Sequence, residues 1–196
     1  MKKHFFLFRH GQSTYNVQGL LQGRTNSSEL TDLGKKQAFK TGKALKTYPL
    51  EVIFSSPLKR ARQTADIVTE VLQVPVYTDE HFTEVDIGEA EGMHFTKVKE
   101  LYAEAYEEWR SNPAFQPVCF KGGETKPSVL KRAWEGLNFL KEQPYTHIGI
   151  ATHGILLEQL AFDLKATFTK INNGVILYLY YEDGWHFGGW IEPENS

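Results

Sequence analysis

The sequence predicts an α/β fold: a single three-layer domain in which a mostly parallel central sheet of about six strands is flanked by helices, with a hairpin at the carboxyl-terminal end. Two observations carry this prediction. Apolar runs of strand length alternate with segments of helical periodicity through most of the 196 residues, a pattern typical of parallel sheets covered by helices. Near the end of the chain, Glu182, Asp183 and Gly184 separate two aromatic-rich runs, which indicates an antiparallel hairpin.

Each predicted strand is a short apolar run bounded by polar or turn-forming residues. The first contains Phe5, Phe6, Leu7 and Phe8 in succession, as expected of a strand that is buried on both faces. The six predicted strands span residues 4–9, 51–55, 74–78, 147–151, 175–181 and 185–190.

Five segments between these strands have the features of helices. Thr31 is a suitable N-cap for the first of them, and Pro49 stops it. The second carries apolar residues at helical spacing, among them Ala61, Ala65 and Leu72. The predicted helices span residues 31–48, 58–73, 95–110, 128–141 and 155–164.

Two long segments, 79–93 and 111–127, show no regular pattern. Loops of this length within a compact domain are uncommon and are often functional. We therefore expect one domain over residues 1–196, with a lid or insert over about residues 80–127.

The composition excludes several classes of function. A formal net charge of −2 argues against a surface built for nucleic acid, which shows clustered basic excess. The single cysteine, Cys119, rules out an internal disulfide and fits a reducing compartment. The amino-terminal apolar run is shorter than the about 7 residues of a signal peptide, and no run approaches the ~18 residues of a membrane span. We therefore expect a cytoplasmic protein that binds neither nucleic acid nor membranes. The sequence does not indicate its oligomeric state.

Polar residues follow three of the predicted strands at the point where each strand ends. Segments 9–11, 55–60 and 152–154 read Arg-His-Gly, Ser-Ser-Pro-Leu-Lys-Arg and Thr-His-Gly. In an open parallel sheet, ligands bind beyond the carboxyl ends of the strands. Two imidazoles and two guanidiniums there, together with the amino termini of the following helices, make an anion site. Because guanidinium binds phosphate oxygens in a bidentate manner, Arg9 and Arg60 are candidate phosphate ligands.

These residue types suit phosphoryl transfer, in which the protein supplies positioning and charge stabilisation. A neutral, well-oriented histidine can attack phosphorus, and Gly11 beside His10 permits close approach of backbone. The other histidine, His153, is better used protonated, donating to the oxygens that carry charge in the transition state.

A further group must protonate the departing oxygen. The segment over residues 81–92, called the acid loop below, offers four carboxylates: Glu84, Asp86, Glu89 and Glu91. A carboxyl group that is partly shielded from water near an anion has a raised pKa and can serve as an acid near neutral pH. The residue types alone do not say which of the four does so.

Six stretches together resemble a known family. They read "LFRHGQSTYN", "LTDLGKKQA", "IFSSPLKRARQTA", "TEVDIGEAEG", "GGET" and "ATHG". In this order they are similar to the histidine phosphatase superfamily, in the branch that contains cofactor-dependent phosphoglycerate mutases and related phosphatases. The closing hairpin resembles the family's last strands, so the resemblance covers essentially the whole chain and implies a phosphoglycerate mutase-like fold.

The resemblance implies a role for each matching residue. His10 would be the nucleophile that becomes phosphohistidine, and Arg9, Arg60 and His153 would hold the phosphoryl oxygens. Glu84 matches the family's proton donor and would then activate the hydrolytic water. The phosphate- or substrate-binding residues implied in this way are Arg9, His10, Asn16, Gln22, Gly23, Arg60, His153 and Gly154. Enzymes of this branch use no metal, and no cofactor is implied.

The sequence departs from the family pattern at two places, and the first, in a loop near the pocket rim, bears on the substrate. Many relatives carry an aspartate between the "QG" and "LT" positions, whereas residues 24–29 here read Arg-Thr-Asn-Ser-Ser-Glu. The usual Gly-Glu-Ser appears as Gly123-Glu124-Thr125, which keeps the hydroxyl.

The expected function is a phosphatase that hydrolyses a small phosphorylated metabolite. Two alternatives stay open: a cofactor-dependent phosphoglycerate mutase, which needs a more enclosed pocket to retain its product, and a protein that binds phosphorylated ligands without catalysis. Relatives specialised as mutases are longer between the acid loop and the "GE" block, where this chain is compact. Because His10, Arg9, Arg60, Glu84 and His153 are all present, nothing indicates a loss of catalysis.

Other reactive residue types lack this context. Metal binding by His10 and His153 is disfavoured, because the neighbouring arginines repel a cation and no metal-ligand spacing is present. The aromatic stripe Tyr102, Tyr106 and Trp109 is expected to pack in the core or under a lid, where its rings could touch substrate. A structural role is expected for the remaining histidines: His4, His81, His94, His147 and His186.

Overall fold

The computed structural model describes residues 2–168 and 170–194. Within this part of the chain, the strands are β1 (Lys3–Arg9), β2 (Val52–Ser55), β3 (Val76–Thr78), β4 (His147–Thr152), β5 (Ile176–Tyr181) and β6 (Trp185–Ile191). They form one sheet in the order β3-β2-β4-β1-β5-β6. The first four strands run parallel, whereas β5 runs antiparallel to both of its neighbours. The predicted α/β fold with a mostly parallel sheet and a closing hairpin is confirmed.

The α-helices in this part of the chain are α1 (Thr14–Gln18), α2 (Asp32–Leu45), α3 (Lys59–Leu72), α4 (Phe95–Ser111), α5 (Lys126–Lys141) and α6 (Gly154–Asp163). The five predicted helices are present as α2 to α6. The sequence analysis missed α1 because its five residues are too few to show a period. Its start is fixed instead by a reciprocal capping box between Ser13 and Asn16.

The two faces of β1 pack against different helices, which places a core on each side of the sheet. Phe5 and Leu7 belong to one cluster with residues of α5 and α6, while Phe6 and Phe8 belong to a second cluster with residues of α2 and α3. All four side chains are at most 1% exposed. The continuous apolar run at the start of the chain therefore forms the central strand of a three-layer structure, as predicted.

The backbone just after β1 lies in direct contact with the first turn of α2. A Cβ atom built on Gly11 would lie 2.2 Å from the Gly34 carbonyl oxygen, and one built on Gly34 would lie 2.0 Å from the Gln12 carbonyl oxygen. Neither position tolerates a side chain unless the backbone shifts. This contact fixes the backbone of the residues that follow His10 against the first turn of α2.

Residues 80–127 contain α4 and two short 3₁₀ helices, Glu80–Phe82 and Gly88–Ala90. Tyr106 and Trp109 of α4 are buried in the same core cluster as Phe5, and Tyr102 packs against it. Their helical spacing thus reflects core packing, as expected. α4 is interrupted at Ala103, whose φ of 40° and ψ of −117° are not helical. A lid function for this region stays a prediction.

None of the described helices combines the length and the apolar character that crossing a bilayer requires.

Candidate active site

The carboxyl ends of β1, β4 and β2 meet at one edge of the sheet. The register pairs Arg9 of β1 with Thr152 of β4, so the residues that follow, His10 and His153, lie side by side. The His10 backbone N–H donates to the Thr152 carbonyl oxygen at 3.0 Å, and the two imidazole centroids are 5.3 Å apart. Ser56 follows β2, and its Oγ lies 2.7 Å from His153 Nε2. Strand pairing therefore assembles the two histidines predicted to act together.

The His10 ring is held in one orientation and one tautomer. Its Nδ1 lies 2.7 Å from the Gly11 carbonyl oxygen, which can only accept, so Nδ1 carries the proton and Nε2 has a free electron pair. The Arg60 Nε–H donates to this Nε2 at 3.3 Å. Burial, followed by the charges of Arg60 and Arg9, holds the pKa of His10 well below its ordinary value. The ring is therefore neutral near pH 7, as a nucleophile must be.

His153 is also fully buried, and its Nδ1 has no hydrogen-bond partner among the described residues. Burial, then the positive charge of Arg60, holds the pKa of His153 well below its ordinary value. The ring of the unliganded protein is therefore neutral near pH 7, and its protonation towards a transition state stays a prediction. The sequence shows that the two arginines are present, but not that the ring is removed from water beside them.

The two arginines are placed by backbone carbonyl groups. Arg60 is 1% exposed and donates to the carbonyl oxygens of Gly23 at 2.7 Å and Thr25 at 3.1 Å. Arg9 donates to the Ile171 carbonyl oxygen at 2.5 Å, and its Nε is buried without a partner among the described residues. Burial lowers the pKa of Arg60 to about 10, so the guanidinium stays charged at neutral pH.

Glu84 is 9% exposed, and backbone amides hold both of its carboxyl oxygens. The Val85 N–H donates to Oε1 at 3.0 Å, and the Ile155 N–H donates to Oε2 at 3.2 Å. Because Ile155 lies in the first turn of α6, the helix that follows His153 also orients the carboxyl group.

A cavity of about 120 Å³ is lined by four of these side chains but not by His153, whose contact with a phosphoryl group stays a prediction. It is lined by Arg9, His10, Leu21, Gln22, Gly23, Arg60, Glu84, Val85, Ile87, Trp109 and Ile155. A second cavity of about 500 Å³ adjoins it, because Arg9, Glu84 and Ile155 line both. The second cavity reaches the surface beside the exposed side chains of Arg110 and Lys170. The small cavity has room for a phosphoryl group, and the large one has room for the rest of a small metabolite.

A larger groove of about 700 Å³ lies elsewhere, between α2 and the segments 172–174 and 192–193. Its charged lining consists of Lys35, Lys36, Lys40 and Glu192, and it contains no histidine or arginine. Because it lacks a candidate nucleophile, we place the candidate active site at the smaller cavity.

The cavity distinguishes among the four carboxylates of the acid loop. Glu84 lines it, whereas Asp86, Glu89 and Glu91 do not and accept hydrogen bonds elsewhere. The geometry therefore favours Glu84, in agreement with the residue that the family resemblance implies.

The remaining predicted site residues lie at different distances from the cavity. Gln22 and Gly23 line the small cavity and Gly154 lines the large one. The Gln22 Oε1 accepts from the Ser13 hydroxyl at 2.7 Å, which leaves the amide NH₂ as the donor available to a ligand. Asn16 does not line either cavity and caps α1 instead, so its phosphate contact stays a prediction.

Comparison with known proteins decides the family. The model of the histidine phosphatase superfamily (branch 1) matches residues 5–190. The chain belongs to this superfamily. The uncharacterized phosphatase PhoE of Bacillus subtilis is 39% identical over 160 residues, which cover 81% of this chain and 76% of the relative. Phosphoserine phosphatase 1 of Hydrogenobacter thermophilus is 36% identical over 141 residues, which cover 72% of this chain and 64% of the relative.

A solved structure supports the same assignment. The mycobacterial glucosyl-3-phosphoglycerate phosphatase in complex with VO₃ superposes with a TM-score of 0.84 at 25% identity, covering 96% of this chain and 98% of that structure. The predicted resemblance, the fold and an enzyme of the phosphatase type are thereby confirmed. A phosphorylated small molecule is the class of substrate that membership of the histidine phosphatases implies.

Three residues of this histidine phosphatase were not identified as site residues from the sequence. Ser56 contacts His153. Its position in the "SSPLKR" stretch was the only sequence feature that pointed to a role at the site. Trp109 lines the cavity, and its helical spacing indicated core packing equally well. The Asn173 side chain donates to the His10 carbonyl oxygen at 2.9 Å, and no local pattern marks it.

The buried histidines of this histidine phosphatase predict how its stability depends on pH. The pKa values of His10 and His153 are held well below the ordinary value in the folded state, whereas the unfolded chain takes up these protons near pH 6.5. Below about pH 6.5 the unfolded state binds more protons, so the free energy of unfolding falls as pH falls, by up to ~1.4 kcal/mol per pH unit for each histidine. The loss continues until the pH reaches the folded-state pKa.

Urea unfolding at pH values from about 5 to 7.5 measures this dependence. The window excludes most carboxylate titration, which occurs near pH 4. The His10→Ala variant should show a shallower slope, because it lacks one of the two buried rings. A stability that does not change between pH 5 and 6.5 would contradict the burial of two neutral histidines.

Proposed function

We propose that the protein hydrolyses a small phosphomonoester through a phosphohistidine formed on Nε2 of His10, with Glu84 as general acid and then general base. The observation that carries this proposal is the fixed tautomer of His10. The Gly11 carbonyl holds the proton on Nδ1, so the electron pair of Nε2 faces the guanidinium of Arg60. A phosphoryl group attracted by that guanidinium meets the nucleophilic nitrogen directly.

In the first step, Nε2 of His10 forms a bond to phosphorus while the bond from phosphorus to the ester oxygen breaks. The departing oxygen takes a proton from the Glu84 carboxyl group, and the alcohol leaves through the second cavity. The unpartnered Nε of Arg9 and Nδ1 of His153, together with Arg60, can donate to the phosphoryl oxygens. A bound phosphate dianion would favour protonation of His153 and so supply a charged donor, which burial and the neighbouring arginines disfavour in the unliganded protein.

In the second step, the Glu84 carboxylate takes a proton from water, and the water oxygen attacks phosphorus as the bond to Nε2 breaks. This step returns neutral His10 and a protonated Glu84 and releases inorganic phosphate. The opening beside Arg110 and Lys170 gives water access to the phosphoenzyme. That access supports hydrolysis over the mutase alternative, which must retain its product.

The relatives support the same class of substrate. Phosphoserine phosphatase 1 of Hydrogenobacter thermophilus and the mycobacterial glucosyl-3-phosphoglycerate phosphatase are named for small phosphomonoesters. The latter was solved with VO₃, an oxyanion that resembles a phosphoryl group. We infer a small phosphorylated metabolite as substrate for this chain.

Trapping the intermediate tests the proposal. The enzyme is mixed rapidly with a phosphomonoester labelled with ³²P, quenched in alkali because phosphohistidine is labile to acid, and digested for mapping. We expect label on the peptide that contains His10 and none in the His10→Ala variant. Turnover without label on His10, or label on another residue, would overturn the proposal.

The same preparation separates the alternatives. Hydrolysis of p-nitrophenyl phosphate in the presence of EDTA indicates a metal-independent phosphatase, whereas affinity for phosphate without turnover indicates a binding protein. Conversion of 3-phosphoglycerate to the 2-phospho isomer in the presence of its bisphosphate cofactor would indicate the mutase.

A further inference from the structure

The side chain of Arg132, on α5, is directed at the backbone of the acid loop. One terminal nitrogen donates to the carbonyl oxygens of His81, at 2.9 Å, and Thr83. The other donates to the carbonyl oxygen of Glu84 at 3.0 Å. A single guanidinium therefore binds the chain at three points within four residues, ending at the candidate acid itself.

The edge formed by Nε and this second terminal nitrogen binds the Glu124 carboxylate in a bidentate manner. Its Nε donates to Oε1 at 2.9 Å and a terminal nitrogen donates to Oε2 at 3.0 Å. The two side chains are 15% and 11% exposed, so solvent screens the pair only weakly. Burial alone would raise the pKa of Glu124, but Arg132, with the Ser128 hydroxyl and the Asp86 backbone N–H, lowers it below its ordinary value. Glu124 thus stays charged and keeps the Arg132 guanidinium in place.

A second arginine joins Glu124 to the phosphate-binding side of the cavity. Arg24 donates from a terminal nitrogen to Glu124 Oε2 at 3.2 Å and from Nε to the Glu84 carbonyl oxygen at 3.2 Å. The preceding residue, Gly23, accepts from Arg60 at 2.7 Å. We call Arg24, Glu124 and Arg132 the acid-loop hub. It connects the segment that holds Arg60 with the segment that carries Glu84.

We propose that the acid-loop hub positions Glu84 for proton transfer to the leaving group, with Arg132 and Glu124 as positioning residues that do not touch substrate. This inference rests on the proposed role of Glu84 as the general acid. The hub exchanges no proton. It fixes the backbone carbonyl groups of residues 81, 83 and 84. The backbone amides of Val85 and Ile155 fix the two oxygens of the Glu84 carboxyl group.

Without Arg132, the carbonyl groups of residues 81, 83 and 84 lose a common donor, and the backbone that carries Glu84 is held less firmly, because only Arg24 still donates to the Glu84 carbonyl oxygen. A displacement of about 1 Å at a catalytic group can cost about 10²-fold in rate. Arg60 and His10 are held by other partners, so nucleophilic attack and phosphate binding should persist. The proposal therefore predicts a selective defect in leaving-group protonation.

Leaving-group dependence distinguishes this role from general support of the fold. The Arg132→Lys variant keeps the positive charge but cannot bind three carbonyl groups and a carboxylate together. We expect kcat/KM for an alkyl phosphate, which needs an acid, to fall by about 10²-fold, and kcat/KM for p-nitrophenyl phosphate, which needs little help, to fall by a few-fold. A variant that merely reduces the folded fraction lowers both rates equally.

A second test variant, a matched control variant and a binding measurement accompany this experiment. Glu124→Gln removes the charge of the hub from the other side and should give the same selective defect, so the proposal stays testable if Arg132→Lys folds poorly. Arg62→Lys is a matched substitution on α3, where the side chain pairs with Asp66 at the surface, and both rates should be unchanged. The dissociation constant for inorganic phosphate should stay within a few-fold of the wild-type value in all three variants.

Combination with Glu84→Gln separates the failure of this inference from the failure of the proposed function. If Glu84→Gln shows the selective defect and Arg132→Lys adds nothing to it, the hub acts through Glu84. If Glu84→Gln is selective but the two hub variants lower both rates equally, the positioning role is wrong and the acid role stands. If Glu84→Gln itself is not selective, the proposed acid is wrong.

Discussion

Replacement of His10 with alanine is expected to lower the turnover of phosphomonoesters by on the order of 10⁶-fold, the loss seen when an enzyme's nucleophile is removed. The remaining route is direct attack of water on phosphorus, without a covalent intermediate. Arg9 and Arg60 remain in place, because their partners are the Ile171, Gly23 and Thr25 carbonyl groups. The variant should therefore still bind inorganic phosphate, as titration calorimetry can measure.

Two observations sharpen this test. Added imidazole should restore part of the turnover of His10→Ala, because it can occupy the space of the missing ring and attack phosphorus from the same place. His186→Ala, an exposed histidine on β6, serves as the control and should leave turnover unchanged. A His10→Ala variant that keeps turnover within about 10-fold of wild type would exclude His10 as the nucleophile, since removal of the nucleophile costs far more.

The second large effect is expected for Glu84→Gln, which keeps the shape of the side chain and removes its acidic proton. Hydrolysis of phosphomonoesters with poor leaving groups should slow by about 10²–10⁴-fold, the usual contribution of general acid catalysis. Aryl phosphates such as p-nitrophenyl phosphate should lose less, because their leaving group departs without a proton. Steady-state kinetics over a series of leaving groups measures the difference.

Glu89→Gln is the matched control within the same loop. Glu89 accepts a hydrogen bond from the Tyr102 hydroxyl at 2.6 Å and lies outside the cavity, so its replacement should leave the dependence on the leaving group unchanged. Equal losses for Glu84→Gln on good and poor leaving groups would argue against Glu84 as the acid. A selective loss in Glu89→Gln instead would transfer the role to that residue.

The fold was predictable from the sequence wherever hydrophobic burial sets the pattern. The run from Phe5 to Phe8 had to be a strand covered on both faces, and the turn at residues 182–184 had to close a hairpin. The short helix α1 was missed because its formation depends on the capping side chains of Ser13 and Asn16, and not on an apolar face. α2 was expected to reach residue 48 and ends at Leu45, since nothing in its composition marks the last turn.

The candidate site was predictable as a set of residue types, but not in its electrostatics or its supporting contacts. The sequence places His10 and His153 at strand ends, yet the tautomer of His10 depends on the direction of the Gly11 carbonyl. The neutral state of His153 depends on burial beside two arginines. The contact of Arg132 with Glu84 joins residues far apart in the chain, and no local pattern reports it.

The position of β1 in the sheet has a consequence for the order in which the molecule assembles. β1 begins at Lys3, but its two neighbours, β4 and β5, begin at His147 and Ile176. During synthesis β1 therefore leaves the ribosome well before both of the strands that pair with it, and pairing must close long loops. The candidate active site at the end of β1 therefore forms only after β4 has been synthesised, and the aromatic run of β1 lacks its pairing partners until then.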